Sequence, residues 1–380
     1  MSRWQDRYVI ALTGNIGTGK SVVRKMLEHL GAFTIDADAL SHRVIAPGGP
    51  GHATVLRTYG EWVLGPDGQI NRARLGKIVF SDPDALARLE GIVHPYVRQA
   101  IDLLIQRSPA RLAVIEAIKI IETGLARDCD ALWVVHAPAS IQARRLVEKR
   151  KLAPAEAQQR IAAQNPQTEK LKAADVVIDN GGTFEETWAQ VQAAVNKLGL
   201  APAAPAPAPT ATATSGGTLT VRRARPSDAA AIASLVGQAT HNARRLARED
   251  VIAAFGDKAF MLAEIAGGPA ALAGFKVENL VARVDELYFL ANAPLPIAAR
   301  PLMEAVEQSA RELQCEAALV FVTAAQTAAA TTALGPSGYA PTTIDGLRVD
   351  AWREAARESM SAGTTLLFKK LREDRVLRPV

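Results

Sequence analysis

Residues 8–21 read YVIALTGNIGTGKS, and their reading decides the fold of the chain's first half. YVIALT is a short apolar run suited to a buried strand. Gly14-x-x-x-x-Gly19-Lys20-Ser21 then satisfies the full P-loop pattern, and VVRKMLEHL has helical periodicity ending on Gly31. Glycines let the backbone turn so that N–H groups converge, and the helix adds its positive end. Gly14, Asn15, Ile16, Gly17, Thr18 and Gly19 are therefore expected to cradle phosphates. Lys20 can reach the β- and γ-phosphates, and Ser21 can ligate Mg²⁺. The nucleotide expected is ATP. Guanine recognition is the weaker reading, because Asn196-Lys197 is followed by Leu-Gly rather than x-Asp.

Outward from the loop, AFTID (32–36), RLAVIEA (111–117), ALWVVHAP (131–138) and DVVIDN (175–180) read as further strands. Helical SIQARRLVEKRK (140–151) and FEETWAQVQAAVNKLG (184–199) alternate with them. The alternation predicts an α/β fold with a parallel sheet covered on both faces. Ligands gather beyond the carboxyl ends of strands in such sheets.

A chain of 380 residues with 48% apolar and 22% charged residues is an ordinary globular mix too long for one core. The net charge of +5 is spread through helices, which suits phosphorylated small molecules and argues only weakly for nucleic acid. No nucleic-acid or membrane partner is expected. Cys129 and Cys315 have no metal-binding spacing and read as thiols of a reducing compartment. The apolar run after Asp6 and Arg7 is too short to span a membrane and leads into the loop, so a cytoplasmic location is expected. Residues 201–217, APAAPAPAPTATATSGG, cannot build a core and read as a semi-rigid spacer between domains at 1–200 and 218–380.

The acceptor side is sought in Thr34-Ile35-Asp36-Ala37-Asp38-Ala39-Leu40. If the chain stays extended, the two carboxylates share one face beside the phosphates. An Asp there can orient a hydroxyl and take its proton. The competing reading is that they cap the next helix.

Together, ALTGNIGTGKS, TIDADAL, APGGPG, DGQINRARLGKIVF, LEGIVHPYVR and AADVVIDNGG resemble, in order and spacing, the dephospho-coenzyme A kinase family across about residues 7–197. The resemblance implies a P-loop kinase with a helical lid. Such a kinase would phosphorylate the ribose 3′-hydroxyl of dephospho-coenzyme A from ATP, with Asp38 as general base and Asp36 as its supporting carboxylate or as a partner in the metal's outer shell. Arg72, His94 and Arg98 would line the dephospho-coenzyme A side. His94 as a buried structural histidine and Arg98 as a solvated helix charge remain open. Residues 140–175 would form the lid, with Arg145 and then Arg150 offered to the transferring phosphoryl. Asp179-Asn180-Gly181 would lie near the adenine through backbone contacts, and Glu116 near the metal's water shell. The family's usual Pro-Leu-Leu-Phe-Glu is replaced here by Ile118-Lys119-Ile120-Ile121-Glu122, which bears on the acceptor pocket's wall. A kinase for another small hydroxyl acceptor, such as a nucleoside monophosphate, and a nucleotide- or CoA-binding regulator without turnover are the alternatives.

Residues 218–380 order their strands and helices as an α+β domain similar to the GNAT acetyltransferase superfamily, with LGPSGYAP (334–341) like its late turn. The stretch Pro294–Ala299 lacks that superfamily's basic residue and first glycine, and Pro296 removes a backbone donor. A degenerate acetyl-CoA site is expected, with a CoA or acyl-CoA ligand as the candidate partner. No well-placed tyrosine acid is found before Gly338-Tyr339, and Leu367–Val380 reads as a last strand with a frayed end.

Overall fold

A computed structural model describes residues 3–200, 212–214, 217–373 and 376–377. The side chains of residues 149, 150, 212–214 and 217 lie outside that description. The first half is a five-stranded parallel sheet in the order β2-β3-β1-β4-β5. Its strands are β1 (Tyr8–Thr13), β2 (Phe33–Asp36), β3 (Leu112–Glu116), β4 (Ala131–His136) and β5 (Val176–Asp179). All five expected strand runs are present. The central strands are continuous apolar runs because helices cover both faces. Register is set by pairs such as Leu12 with Glu116 and with Trp133, and Ile35 with Ile115.

Helix α1 (Lys20–His29) follows the loop, then α2 (Ala37–Ile45), α3 (His52–Tyr59), α4 (Arg72–Val79) and the long α5 (Pro83–Arg107). Next come α6 (Ala139–Arg150), α7 (Pro154–Ala162), α8 (Gln167–Ala173) and α9 (Phe184–Lys197). One core cluster joins α2 and α5 to the sheet through Leu40, Val44, Ile101 and Ile115. The other joins α1 and α9 through Met26, Leu27, Trp133 and Val191. Helix α9 opens on a capping box between Thr183 and Glu186.

The second half is an eight-stranded sheet in the order β12-β13-β11-β10-β9-β8-β7-β6. The strands are β6 (Thr212–Thr214), β7 (Gly217–Arg223), β8 (Ala259–Ile265), β9 (Gly268–Glu278), β10 (Val281–Phe289), β11 (Ala317–Thr323), β12 (Ala340–Thr342) and β13 (Thr364–Lys370). Every neighbouring pair is antiparallel except β10 with β11. Helices α10 (Ala229–Ala239), α11 (Arg248–Phe255) and α14 (Asp350–Ser359) pack on one face, and α12 (Leu295–Glu312) and α13 (Thr327–Leu334) on the other. The α+β expectation for this half holds.

Two expectations change. Thr212–Thr214 falls inside the stretch read as spacer, yet it pairs with β7. The rest of the spacer lies outside the described residues. Part of the tail read as frayed is packed: Val376 and Leu377 are 8% and 5% exposed and belong to the α2/α5 core cluster of the first half, while residues 374–375 and 378–380 lie outside the described residues. Among the described residues no helix is long and apolar enough to cross a membrane.

Candidate active site

The loop sits at the carboxyl end of the central strand β1. Gly19, at φ 90°, is the N-cap of α1, and a Cβ there would come 2.1 Å from Asn180 Nδ2, so only glycine fits. Thr18 Oγ1 donates to Asn15 O at 2.8 Å and tightens the turn. The loop carbonyls are held from outside. Asn180 Nδ2 donates to Thr18 O at 2.7 Å, and Arg145 donates to Gly17 O and Thr18 O. Arg145 also donates to Asn180 O at 2.8 Å. Because a trans peptide sets N–H opposite C=O, the Gly19 N–H points away from these partners.

The structure therefore places Arg145 and Asn180 together, bracing the loop's carbonyl side. That differs from the expectation of Arg145 at the transferring phosphoryl, where a cation would approach the N–H side. The Arg150 side chain lies outside the described residues. The lid does reach the loop: Ile16 N donates to Gln164 Oε1 at 2.7 Å, and Asn15 Nδ2 donates to Asn165 O at 3.0 Å.

Below the loop, Ser21 Oγ donates to Glu116 Oε1 at 3.2 Å. Glu116 is 5% exposed and its other oxygen accepts from Arg24 Nε at 2.6 Å. Arg24 also donates to Glu28, and Lys25 pairs with the same carboxylate. The two cations hold the Glu28 carboxyl at about 2, against its burial. Ser21 and Glu116 thus present hard oxygen donors at the mouth of the loop, a set that suits a hard cation. Among the described residues no cluster of three or more His, Cys, Asp or Glu could hold a metal by itself.

The two aspartates do not share an extended face. Asp36 ends β2 and caps α2, accepting from Ala39 N at 2.8 Å, so the chain turns helical at Ala37. Asp38 is the second residue of that helix, and its Oδ2 accepts from Ile118 N at 3.1 Å. Burial raises the Asp38 pKa; the Ile118 N–H, Lys20 and Lys170 pull it down, and Glu116 pushes it up. Lys20, Asp38, Glu116 and Lys170 therefore share one electrostatic site.

The altered turn after β3 is the hub of this region. The carbonyl of Ile118 accepts from Thr13 Oγ1 at 3.1 Å and from Lys170 Nζ at 2.9 Å. Arg98 donates to Thr123 O and pairs with Asp128 at 2.7 Å, so it braces the turn rather than standing as a solvated charge. His94 is half-buried beside Lys119 and Arg98, and burial is the main cause of its lowered pKa. Arg72 stands against α2, at 3.0 Å from His42 Nδ1, and 3.6 Å from Glu354 of the second half. Lys170 and Gln164 were missed in the sequence. Both sit in a run rich in charged and amide residues, and no local signal sets them apart.

In the second half, β10 and β11 pair at Val281–Val284 with Ala317–Val320. Beyond a bulge between Val284 and Glu286 the strands part, and a cleft of about 1440 Å³ opens between them. Pro294 and Leu295, at the start of α12, line it. The cleft's Arg244, Lys276 and Arg283 each face a carboxylate, respectively Glu286, Asp257 and both Glu278 and Glu358. Tyr288, also missed in the sequence, lines the cleft with its hydroxyl against Arg244; Tyr339 is 3% exposed in the core.

A central parallel sheet, a glycine loop ending on Lys20 and Ser21, a carboxylate across from it and helices reaching over the loop define a P-loop kinase of small molecules. The family model described as dephospho-CoA kinase matches residues 8–186. A dephospho-CoA kinase of Geobacter sulfurreducens is 42% identical over 187 residues, covering 48% of this chain and 95% of the relative. That of Geobacter metallireducens is 44% identical over 188 residues, covering 49% and 94%. The chain belongs, through its first half, to the dephospho-CoA kinase family. A solved Thermus thermophilus structure is 33% identical with a TM-score of 0.47, covering 50% of this chain and 97% of its own. Over the second half, the GNAT domain of S. lividans PAT aligns at 18% identity and a TM-score of 0.32, covering 43% and 96%.

Proposed function

We propose that the first half transfers the γ-phosphoryl group of ATP to the ribose 3′-hydroxyl of dephospho-CoA, giving CoA and ADP, the last step of CoA synthesis. The observation that carries this reading is the half-buried Asp38 carboxylate, held by the Ile118 N–H in the field of Lys20, in a chain of this family. Loop N–H groups and Lys20 hold the triphosphate. Asp38 takes the proton of the 3′-hydroxyl as its oxygen bonds to the γ-phosphorus. The bond to the bridging oxygen breaks and ADP leaves with the electron pair. Ser21 and Glu116 would hold Mg²⁺, which when bound neutralises charge on the β- and γ-phosphates. Lys170 adds a cation to the same site. Arg145 and Asn180 keep the loop in shape. Arg98 and His94 shape the acceptor side through the turn at residues 118–123.

The test is product identification by mass spectrometry with Mg·ATP and dephospho-CoA, beside Lys20→Ala. CoA and ADP from the parent chain alone support the reading. ADP formed only with a nucleoside monophosphate would overturn it. Asp38→Asn is expected to lower kcat by about 10²–10⁴-fold with ATP binding retained. Unchanged turnover removes Asp38 from the mechanism.

For residues 218–380 we assign a GNAT-like domain with a degenerate cofactor site. The paired cleft cations and Pro296 support this: among the described residues lining the cleft each Arg and Lys already faces a carboxylate, and Pro296 removes an amide donor at the start of α12. Titration calorimetry with acetyl-CoA should show no saturable binding up to about millimolar concentration, the weak limit of useful affinity. Micromolar binding would restore a ligand role to the cleft.

A further inference from the structure

The second half touches the first at the helix that carries Asp38. Arg43, on the same helix α2, is 6% exposed. Its Nη2 donates to both carboxylate oxygens of Glu316 at 2.8 Å, and its Nη1 donates to Asn279 O at 3.2 Å. Glu316 is 1% exposed and is itself fixed by the backbone around it. Its N–H donates to Leu280 O at 2.7 Å, and its carbonyl accepts from Leu371 N at 2.8 Å. Its Oε1 also accepts from Val376 N at 3.1 Å. The carboxylate is therefore a rigid part of the second half. Leu280 packs against the same core cluster as Leu40 and Val44 of α2.

A buried guanidinium that loses its carboxylate is strongly disfavoured, so α2 cannot turn or slide without breaking this contact. The other end of α2 carries the Asp36 cap and Asp38, whose carboxylate meets the Ile118 N–H at 3.1 Å. We propose that Glu316 is a positioning residue for phosphoryl transfer: through Arg43 it sets the rotation and depth of α2, and with them the place of Asp38 beside the phosphate loop. The kinase readout rests on the function proposed above. A displacement of about 1 Å in such a group can cost about 10²-fold in rate.

The double variant Arg43→Met/Glu316→Met tests this in the full chain. It removes both charges together and keeps side-chain volume, so no buried charge is orphaned. Thermal midpoint, ATP binding by calorimetry, hydrogen exchange of residues 37–45 and steady-state kinetics with dephospho-CoA are measured together. The expected result is a folded protein with ATP affinity within about twofold of the parent, faster exchange in α2, and kcat reduced about 10–10²-fold. Glu316→Asp, which keeps the charge but retracts it, should fall between the two. If the double variant does not fold, Glu316→Asp alone carries the test, read as kcat against ATP affinity. A folded variant with the parent's kcat and acceptor KM, or with unchanged exchange in α2, overturns the proposal. A parent chain without turnover would instead fail the kinase reading alone, and the exchange data would still decide whether Glu316 holds α2.

Discussion

Lys170 shows how one buried cation can shape a phosphate site. It is 6% exposed on α8, donates to Ile118 O at 2.9 Å, and stands in the field of both Lys20 and Asp38. Burial, the largest cause, lowers its own pKa, and Lys20 adds to the effect. Its charge in turn lowers that of Asp38. Lys170→Met should cut kcat/KM by up to about 10²–10³-fold, the usual cost of losing one preorganised electrostatic partner. The acid limb of the kcat/KM profile should move to higher pH, because Asp38 loses a stabilising cation and must still be deprotonated to act as base. A limb that moves to lower pH, or stays, would remove Lys170 from the site. Asp38 was legible in the sequence because two aspartates follow a strand. Lys170 was not, because its neighbours come from β3 and α2, far away in the chain.

At the scale of elements, most of the first half was readable. Its strands are apolar on both faces, and the glycine loop marks where the first strand ends. The failure at Asp36 and Asp38 is instructive. Alternation predicts a shared face only while the backbone stays extended, and Asp36 ends that extension by capping α2. The role of Arg98 is not legible in its own segment, because its partner Asp128 arrives from another one. The parting of β10 from β11 was likewise hidden: the bulge against β9 moves the core-facing positions from Ala282 and Val284 to Leu287 and Phe289, and that shift does not say which neighbouring strand separates. The junction of loop and α1 carries its own prediction. Gly19→Ala forces a side chain into a φ of 90° and against the Asn180 amide. The strain should cost about 1–3 kcal/mol. ATP affinity by calorimetry should fall at least about tenfold. Thr187→Val should be milder, since it removes only the hydroxyl that donates to Asn180 Oδ1 at 3.0 Å. Equal effects of the two would deny Gly19 its special place.

Across the whole molecule, the two halves meet through a seam that composition could not foretell. His29, on α1, has its Nε2 at 3.1 Å from Phe255 O, and its ring packs edge-on to Phe255 and Trp188. Burial, reinforced by Arg223 and Lys25, pushes its pKa from the ordinary 6.5 down to about 3. The folded protein therefore holds His29 neutral while the unfolded chain protonates it. Between about 6.5 and about 3 the unfolded chain binds more protons, so this group's contribution is present above the window and is lost as pH falls through it. The thermal midpoint should rise with pH in that range, and His29→Gln should flatten the rise. An equal slope in parent and variant would place the acid sensitivity elsewhere. In the sequence the division between the halves rests on alternating alanine and proline, which cannot form a core. What crosses between the halves was not legible, because pairs such as Arg43 with Glu316 and His29 with Phe255 join residues 273 and 226 positions apart.

Val376 and Leu377 fill part of the hydrophobic core beneath α2 and α5. A ribosome delivers them only after the whole second half has been made. The first half can thus fold early as a sheet with its loop, but the packing under its acceptor helix is left incomplete until those two side chains emerge. The order of synthesis then makes this packing a late event, in which residues 376 and 377 close a part of the protein made long before them.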